Sequence, residues 1–309
     1  IAETAPRVAG AAALAFLLGG GWLVALWRAG RREPSFIEPE EAIVQKPPSN
    51  LAPALAGALT NDTGKATAAQ ALATIFSLAQ RGLISIEQTS EKKWWTNAGY
   101  AFRKTPTLAG AELSEHERAL VEVLFADKNG AKDEIKLSEA GQRLQSKLSP
   151  FAKAVESELT QQGYIDPARR QYAGRFYMAC VALIALAVVT AIGGAFLVER
   201  FGGWVFLLPG ALFVLSMTAL ALGASYPPLS VRGEDAAARW RGFRKNIKRI
   251  AKGDESSWDT RQFDRYFPYA ASFGQAEGWA KAYQKTGVTE IPGWFRSMRD
   301  QCVAAQVPF

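Results

Sequence analysis

The chain reads as a mainly α membrane protein: three transmembrane helices with a winged-helix-like α+β cytoplasmic domain and a small helical C-terminal domain. Three observations predict this. The apolar residues are bunched into three runs that contain no charge, helix–glycine–strand patterns recur between the first and second runs, and a basic, aromatic-rich block follows the third. Averages conceal the pattern, because 49% hydrophobic residues and a mean hydropathy of -0.04 resemble an ordinary soluble protein.

The first run, Val8 to Trp27, has 20 residues; Phe176 to Val198 has 23 and Trp204 to Ala224 has 21. At about 1.5 Å per residue, each spans a hydrocarbon core of about 30 Å. Three all-round apolar helices buried in a soluble protein of 309 residues are a poor alternative. A signal peptide is excluded for the first run by its length and by basic residues that follow rather than precede it. Residues 1–7 form an extracytoplasmic stub, and the start at Ile1 predicts a fragment or processed product whose preceding domain is missing. Pro209 is expected to kink the third span.

Orientation follows from the basic residues. Residues 28–175 hold 20 basic and 18 acidic residues, and 226–309 hold 14 and 9, so the whole net charge of +7 lies on one side. Cytoplasmic loops carry such an excess. The expected topology is N-terminus outside and C-terminus cytoplasmic in a bacterial inner membrane, with the second and third spans forming a tight hairpin.

Residues 28–48 are a linker in which Pro34, Pro39, Pro47 and Pro48 favour an extended tether. The domain predicted over 49–172 opens with a helix, Ala66–Arg81, stopped by Gly82. Leu83–Gln88 then alternates like an edge strand, and Trp94–Thr105 completes a hairpin. A second unit starts at Ser114, whose pairing with Glu117 is a capping box for a helix to Phe125. A short strand, Glu134–Leu137, and a long helix, Ser138 to about Gln162, lead to Gly163-Tyr164-Ile165. Both units follow the winged-helix pattern. Such domains often bind DNA, but Ala66–Gln80 has no charged side chain for phosphates or base edges. A net charge of about +2 also gives little counterion-release drive.

In the block 226–309, Glu234 and Asp235 open a helix on which Trp240, Phe243, Ile247 and Ile250 share one face. Arg244, Lys245, Lys248 and Arg249 lie among the basic residues covering the rest. The helix is expected to lie on the leaflet, drawn to anionic lipid headgroups, or to pack its apolar face on the aromatics Phe263, Tyr266, Phe267, Tyr269 and Phe273, and both hold if the block sits against the bilayer. Pro292-Gly293-Trp294-Phe295 is expected to form a docked terminal helix or an exposed partner patch.

Chemistry is poorly signposted. One histidine and two cysteines exclude a His-cluster metalloenzyme, a Cys-rich zinc protein and a disulfide-built module. No phosphate-binding glycine loop is present. His116 is expected to be solvated at the start of its helix, and Cys180 and Cys302 are lone thiols. Glu40-Glu41 and Asp133-Glu134 are expected in solvated linkers. The spans carry no His, Asp, Glu, Lys or Arg, against proton relay or ion conduction. No catalytic residue, metal ligand, cofactor or small-molecule substrate is inferred. The spans do carry small residues at four-residue spacing, Ala11, Ala15 and Gly19 and then Ala187, Ala191 and Ala195, a face suited to close helix packing.

Several stretches resemble one family. They are Pro48–Gly57, Ala71-Leu72-Ala73-Thr74 with Leu78–Gly82, Leu113–Glu117 before Leu124-Phe125, and Phe263-Asp264-Arg265-Tyr266-Phe267-Pro268-Tyr269-Ala270 before Gly274 and Trp279-Ala280. From about residue 8 to 285 the chain is similar to the C-terminal region of the YciQ-like predicted membrane proteins of bacteria. It departs at Ala271-Ser272, where a more aliphatic pair is usual, and it lacks their glycine-rich tail. The resemblance implies a membrane location and a preceding β-rich extracytoplasmic domain; it implies no reaction. The residues therefore point to an interaction or scaffolding subunit of a membrane complex, partnered by another membrane protein or by further copies of itself. The alternative is a membrane-anchored winged-helix regulator that binds nucleic acid.

Overall fold

The computed structural model describes residues 5–30, 43–61, 64–90, 99–127, 130–224, 228–254, 262–285 and 295–296. The chain is mostly helical and divides into two compact units, residues 1–36 with 166–230, and residues 37–165 with 231–309.

The first unit consists of helices α1 (Ala5–Gly30), α7 (Pro167–Phe201) and α8 (Leu207–Ala224). All three are long and apolar enough to cross a membrane. Asp166 caps α7, its side chain accepting from the Ala168 N–H at 2.9 Å, and Pro167 fills the first helical position. The helix runs 35 residues, about 50 Å at 1.5 Å per residue, so its basic first turns project beyond the hydrocarbon. A 3-10 turn, Gly202–Phe206, joins it to α8. Because α8 begins at Leu207, Pro209 falls in its first turn, where no N–H is needed, and the expected kink does not arise. Leu23, Phe176, Ala179, Cys180, Leu215 and Ala219 form the unit's interior. Leu17, Met178 and Phe196 are 72%, 71% and 84% exposed, an outward apolar surface stable only in lipid.

Close approach between spans depends on Gly19, where a Cβ would lie 2.6 Å from Leu215 Cδ1. Gly19→Ala is tolerable if Leu215 changes rotamer. Gly19→Ile should push α1 off α8 and cost about 1–3 kcal/mol, read as lower thermal stability in detergent.

The second unit is built from both sides of that membrane hairpin. Residues 49–172 and 226–309 read as separate domains in sequence, whereas residues 37–165 and 231–309 share one core. Helices α2 (Pro53–Thr60) and α3 (Ala68–Gln80) lead into strands β1 (Ile84–Ser90) and β2 (Gly99–Lys104). Helix α4 (Glu115–Phe125) follows, then a two-residue ribbon of β3 (Ala126–Asp127) and β4 (Gly130–Ala131) that the sequence does not announce, then β5 (Glu134–Lys136). The expected long helix is two, α5 (Leu137–Ser146) and α6 (Ser149–Gln161), because Pro150 restarts the chain at the first turn of α6. Gly82 and Gly163, at φ 72° and 76°, end α3 and α6 in the left-handed conformation.

The sheet runs β5-β2-β1-β6, where β6 is Phe295–Arg296. Ile86 faces Phe102 across the antiparallel β1–β2 pair, and Phe102 faces Ile135 of β5. The predicted edge strand therefore has neighbours on both sides, and Leu83–Ile86 are buried rather than alternating. Glu134 lies in β5, where Arg103 binds it at 2.7 Å, and not in a linker. Phe295 pairs with β1 as a strand, not a helix; Pro292–Trp294, Cys302, Glu40-Glu41, the 1–4 stub and most of the linker lie outside the described residues.

Helices α9 (Val231–Lys252), α10 (Gln262–Ser272) and α11 (Ala276–Lys285) close the core over α2 and α3. Pro268 cannot donate to the Asp264 carbonyl one turn back, and Gln80 Nε2 donates to it instead, tying α3 to α10. Gln70 serves two helices: its Oε1 accepts from the Thr67 N–H at 2.7 Å in the α3 capping box, and its Nε2 donates to the Ser272 carbonyl at 2.7 Å. Ser272 Oγ donates to the Pro53 carbonyl at 2.6 Å. Gly57 sits under this network, where a Cβ would overlap Ser272 Oγ.

Candidate functional site

The helix expected at the membrane surface is α9, and its two faces have separate fates. Trp240 stacks on Tyr269 at 5.4 Å between ring centroids, and Phe243 meets Tyr266 and Tyr269 edge-on at 5.5 and 5.9 Å. Ile247 and Ile250 are also buried. These four side chains fill the protein core, so they cannot also be immersed in a bilayer. Lys245, Lys248 and Arg249 are exposed and Arg244 half-buried, leaving a basic outer strip. Burying the apolar face inside the unit leaves only the charge to act on a surface.

The small-residue face divides as well. Ala187 is buried, Ala15, Gly19 and Ala191 are half-buried, and Ala11 and Ala195 are exposed. Part of the face is therefore consumed within the chain, Gly19 against Leu215 being its closest approach.

His116 is not solvated. It is 2% exposed, with its Nδ1 2.8 Å from Glu158 Oε1 and its backbone N–H donating to the same oxygen at 2.7 Å. Burial alone would push the Glu158 carboxyl up, but the hydrogen bonds from His116 and Ser114 outweigh it and hold the group below its ordinary value. Phe151 packs edge-on to the imidazole at 6.2 Å. This pair locks α4 to α6, with both side chains buried. The capping box reads correctly in sequence: Ser114 N–H donates to Glu117 Oε2 at 3.1 Å. The partner 42 residues away leaves no sequence signal.

Sequence reasoning missed the cleft between the incoming tether and α10. Lys46, Ser49 and Asn50 form one wall, Ser77 and Gln80 the floor from α3, and Gln262, Arg265 and Tyr269 the other wall, around about 600 Å³. The walls are pinned. Tyr269 Oη donates to the Leu51 carbonyl at 2.8 Å, and Gln80 holds the Asp264 carbonyl. Burial pushes the Tyr269 hydroxyl up, so it remains a neutral donor at physiological pH. Lys46 and Arg265 are exposed at the mouth, and neither has an acidic partner among the described residues. Two cations above a polar floor suit an anionic or carbonyl-rich ligand. Lys46 and Arg265 are 219 positions apart, which is why no motif reports them.

No group of three or more His, Cys, Asp and Glu side chains that could hold a metal ion occurs among the described residues. Residues 42–283 match a family model described as the C-terminal domain of a predicted membrane protein (DUF2207). Neither a curated protein nor a solved structure matches the chain.

Proposed function

The chain belongs to the DUF2207 C-terminal-domain family of predicted membrane proteins, and from that premise we propose that it is an interaction subunit of a membrane complex, docking an acidic segment of a partner protein. The observation that carries this is the polar cleft of the second unit, with Lys46 and Arg265 at its mouth. Proline and tyrosine side chains line its inner part, a surface suited to an extended peptide. We place the chain in the bacterial inner membrane with the cleft in the cytoplasm, because the excess of basic residues flanks the same ends of the spans.

The second unit is read as winged-helix-like in its α2–α3–β1–β2 order, supported by the hairpin that follows α3. The helix that such a domain would present to DNA is α3, and seven of its thirteen residues are buried beneath its neighbours. That burial weighs against the nucleic-acid alternative. No retention of the full chain on DNA at low salt is the expected result.

The test is a double charge reversal, Lys46→Glu with Arg265→Glu, in the full chain purified in mild detergent. Both side chains are exposed, so the thermal transition should stay within about 0.5 kcal/mol of the parent. A partner that photo-crosslinks to position 262 in the parent should be lost at least tenfold in the variant. A chain that runs alone as a monomer, with no crosslink from position 262, overturns the proposal.

A further inference from the structure

A second cleft lies in the membrane unit and has a different chemistry. Helix α1 packs chiefly on α8 and touches α7 little, which leaves a groove between α1 and α7 of about 680 Å³. Along α7, Gly174, Met178 and Ala182 follow one another at one-turn spacing, and along α1 Trp22 and Leu26 do the same. This part of the wall is apolar and open to the outside of the bundle: Met178 is 71% and Trp22 54% exposed. At one end the chemistry changes, to Arg175 and Gln171.

The change falls at a definite depth. Arg175 immediately precedes the charge-free run 176–198, whose 23 residues span about 34 Å, enough for the hydrocarbon core. The guanidinium is therefore at headgroup level while Met178 and Ala182 lie one and two turns deeper. Its carbon sits 5.0 Å from the Tyr172 ring centroid, a cation–π contact that uses no N–H acceptor and so leaves the guanidinium able to donate to one. Arg175 forms no ion pair with a carboxylate among the described residues, and no acidic side chain lines the groove.

We propose that this groove holds one anionic phospholipid, its acyl chain along Trp22, Met178 and Ala182 and its phosphate on Arg175 and Gln171. An apolar slot ending in a cation at the interface complements an amphiphile with a tail and a negative head. With no carboxylate present to attract an ammonium, a net-anionic head is favoured over a zwitterionic one. The site shares no residue with the basic strip of α9 or with the partner-docking cleft and does not depend on either.

Gly174 gives a clean test, because a Cβ added there meets nothing within 4 Å. Gly174→Leu adds bulk to the groove from a position whose Cβ has open space, and it removes a flexible residue from a helix. The full chain is purified, stripped of lipid, and offered equal amounts of phosphatidylglycerol and phosphatidylethanolamine, and bound lipid is counted by native mass spectrometry. The parent should retain one phosphatidylglycerol in preference. Arg175→Gln should reduce that preference about tenfold, as expected for one charged hydrogen bond, and Gly174→Leu should abolish retention with an unchanged or higher melting temperature. Arg28→Gln, at the end of α1 and outside the groove, should behave as the parent. No preference in the parent, full retention by Gly174→Leu, or an equal loss in Arg28→Gln would each overturn the proposal.

Discussion

Residues 43–165 joined to residues 231–285 through a short Gly/Ser linker should give a soluble, cooperatively folding protein, whereas residues 43–165 alone should not fold. The junction is feasible because the cut ends are adjacent. A Cβ on Gly233 would overlap the Tyr164 carbonyl, and the Arg232 guanidinium carbon is 5.1 Å from the Tyr164 ring centroid. At roughly 3.5 Å per residue, about four to six linker residues suffice. The membrane hairpin is then an insertion between two parts of one core. Removing residues 231–285 uncovers α2 and α3, which lose Phe267 against Phe76, at 4.8 Å between centroids, and the hydrogen bonds from Gln70 and to Leu51. Trp240, Phe243, Phe267 and Trp279 are nearly fully buried in this unit. At about 1.5–3 kcal/mol for each large apolar side chain, the loss approaches the 5–15 kcal/mol total typical of a domain. The readout is the thermal transition by circular dichroism. A cooperative melt of 43–165 alone, at the temperature of the joined protein, would contradict the shared core.

How far the sequence reports this architecture depends on the range of each interaction. The three spans are legible because length and absence of charge are properties of contiguous residues. The caps at Ser114 and the stops at Gly82 and Gly163 are legible for the same reason, being settled within one helical turn. The amphipathic face of α9 is legible as a pattern, but the pattern is the same for a helix that meets lipid and one that meets Tyr266 and Tyr269. What decides between them is α10, whose Asp264 carbonyl, left unpaired by Pro268, finds the Gln80 amide only once α3 is placed beside it. The break between α5 and α6 was available in Pro150 and was hidden by the amphipathic periodicity that continues through it.

The candidate sites follow the same division. Lys46 and Arg265 come together only because a membrane insertion leaves residues 37–165 and 231–309 in one unit. Arg175 was readable as a topogenic charge. Its second feature, a place at the end of a groove, needs α1 to lean on α8 rather than α7. His116 shows the limit most clearly, since a histidine at a helix start is usually wet and this one is covered by α6.

That coverage sets the last expected result, in which Glu158→Ala destabilises the protein by about 2–3 kcal/mol at neutral pH. The substitution leaves the His116 backbone N–H and Nδ1 without the acceptor they share in a buried site. The pH dependence has a definite sign. The folded Glu158 carboxyl is held below its ordinary value of about 4.3, so its stabilisation is fully present above that pH. It is lost as pH falls through the lower, folded value, where the carboxylate takes up a proton and its hydrogen bonds with His116 weaken. The stability gap between the parent and Glu158→Gln, which cannot titrate at this position, should therefore be widest near pH 6–7 and should narrow below about pH 4. Equal melting temperatures for the two proteins across that range would mean that α4 and α6 are held by Phe151, Leu120 and Leu159 alone, and that the charge contributes nothing. The geometry argues otherwise, because the backbone N–H and Nδ1 of one buried residue converge on a single carboxylate oxygen.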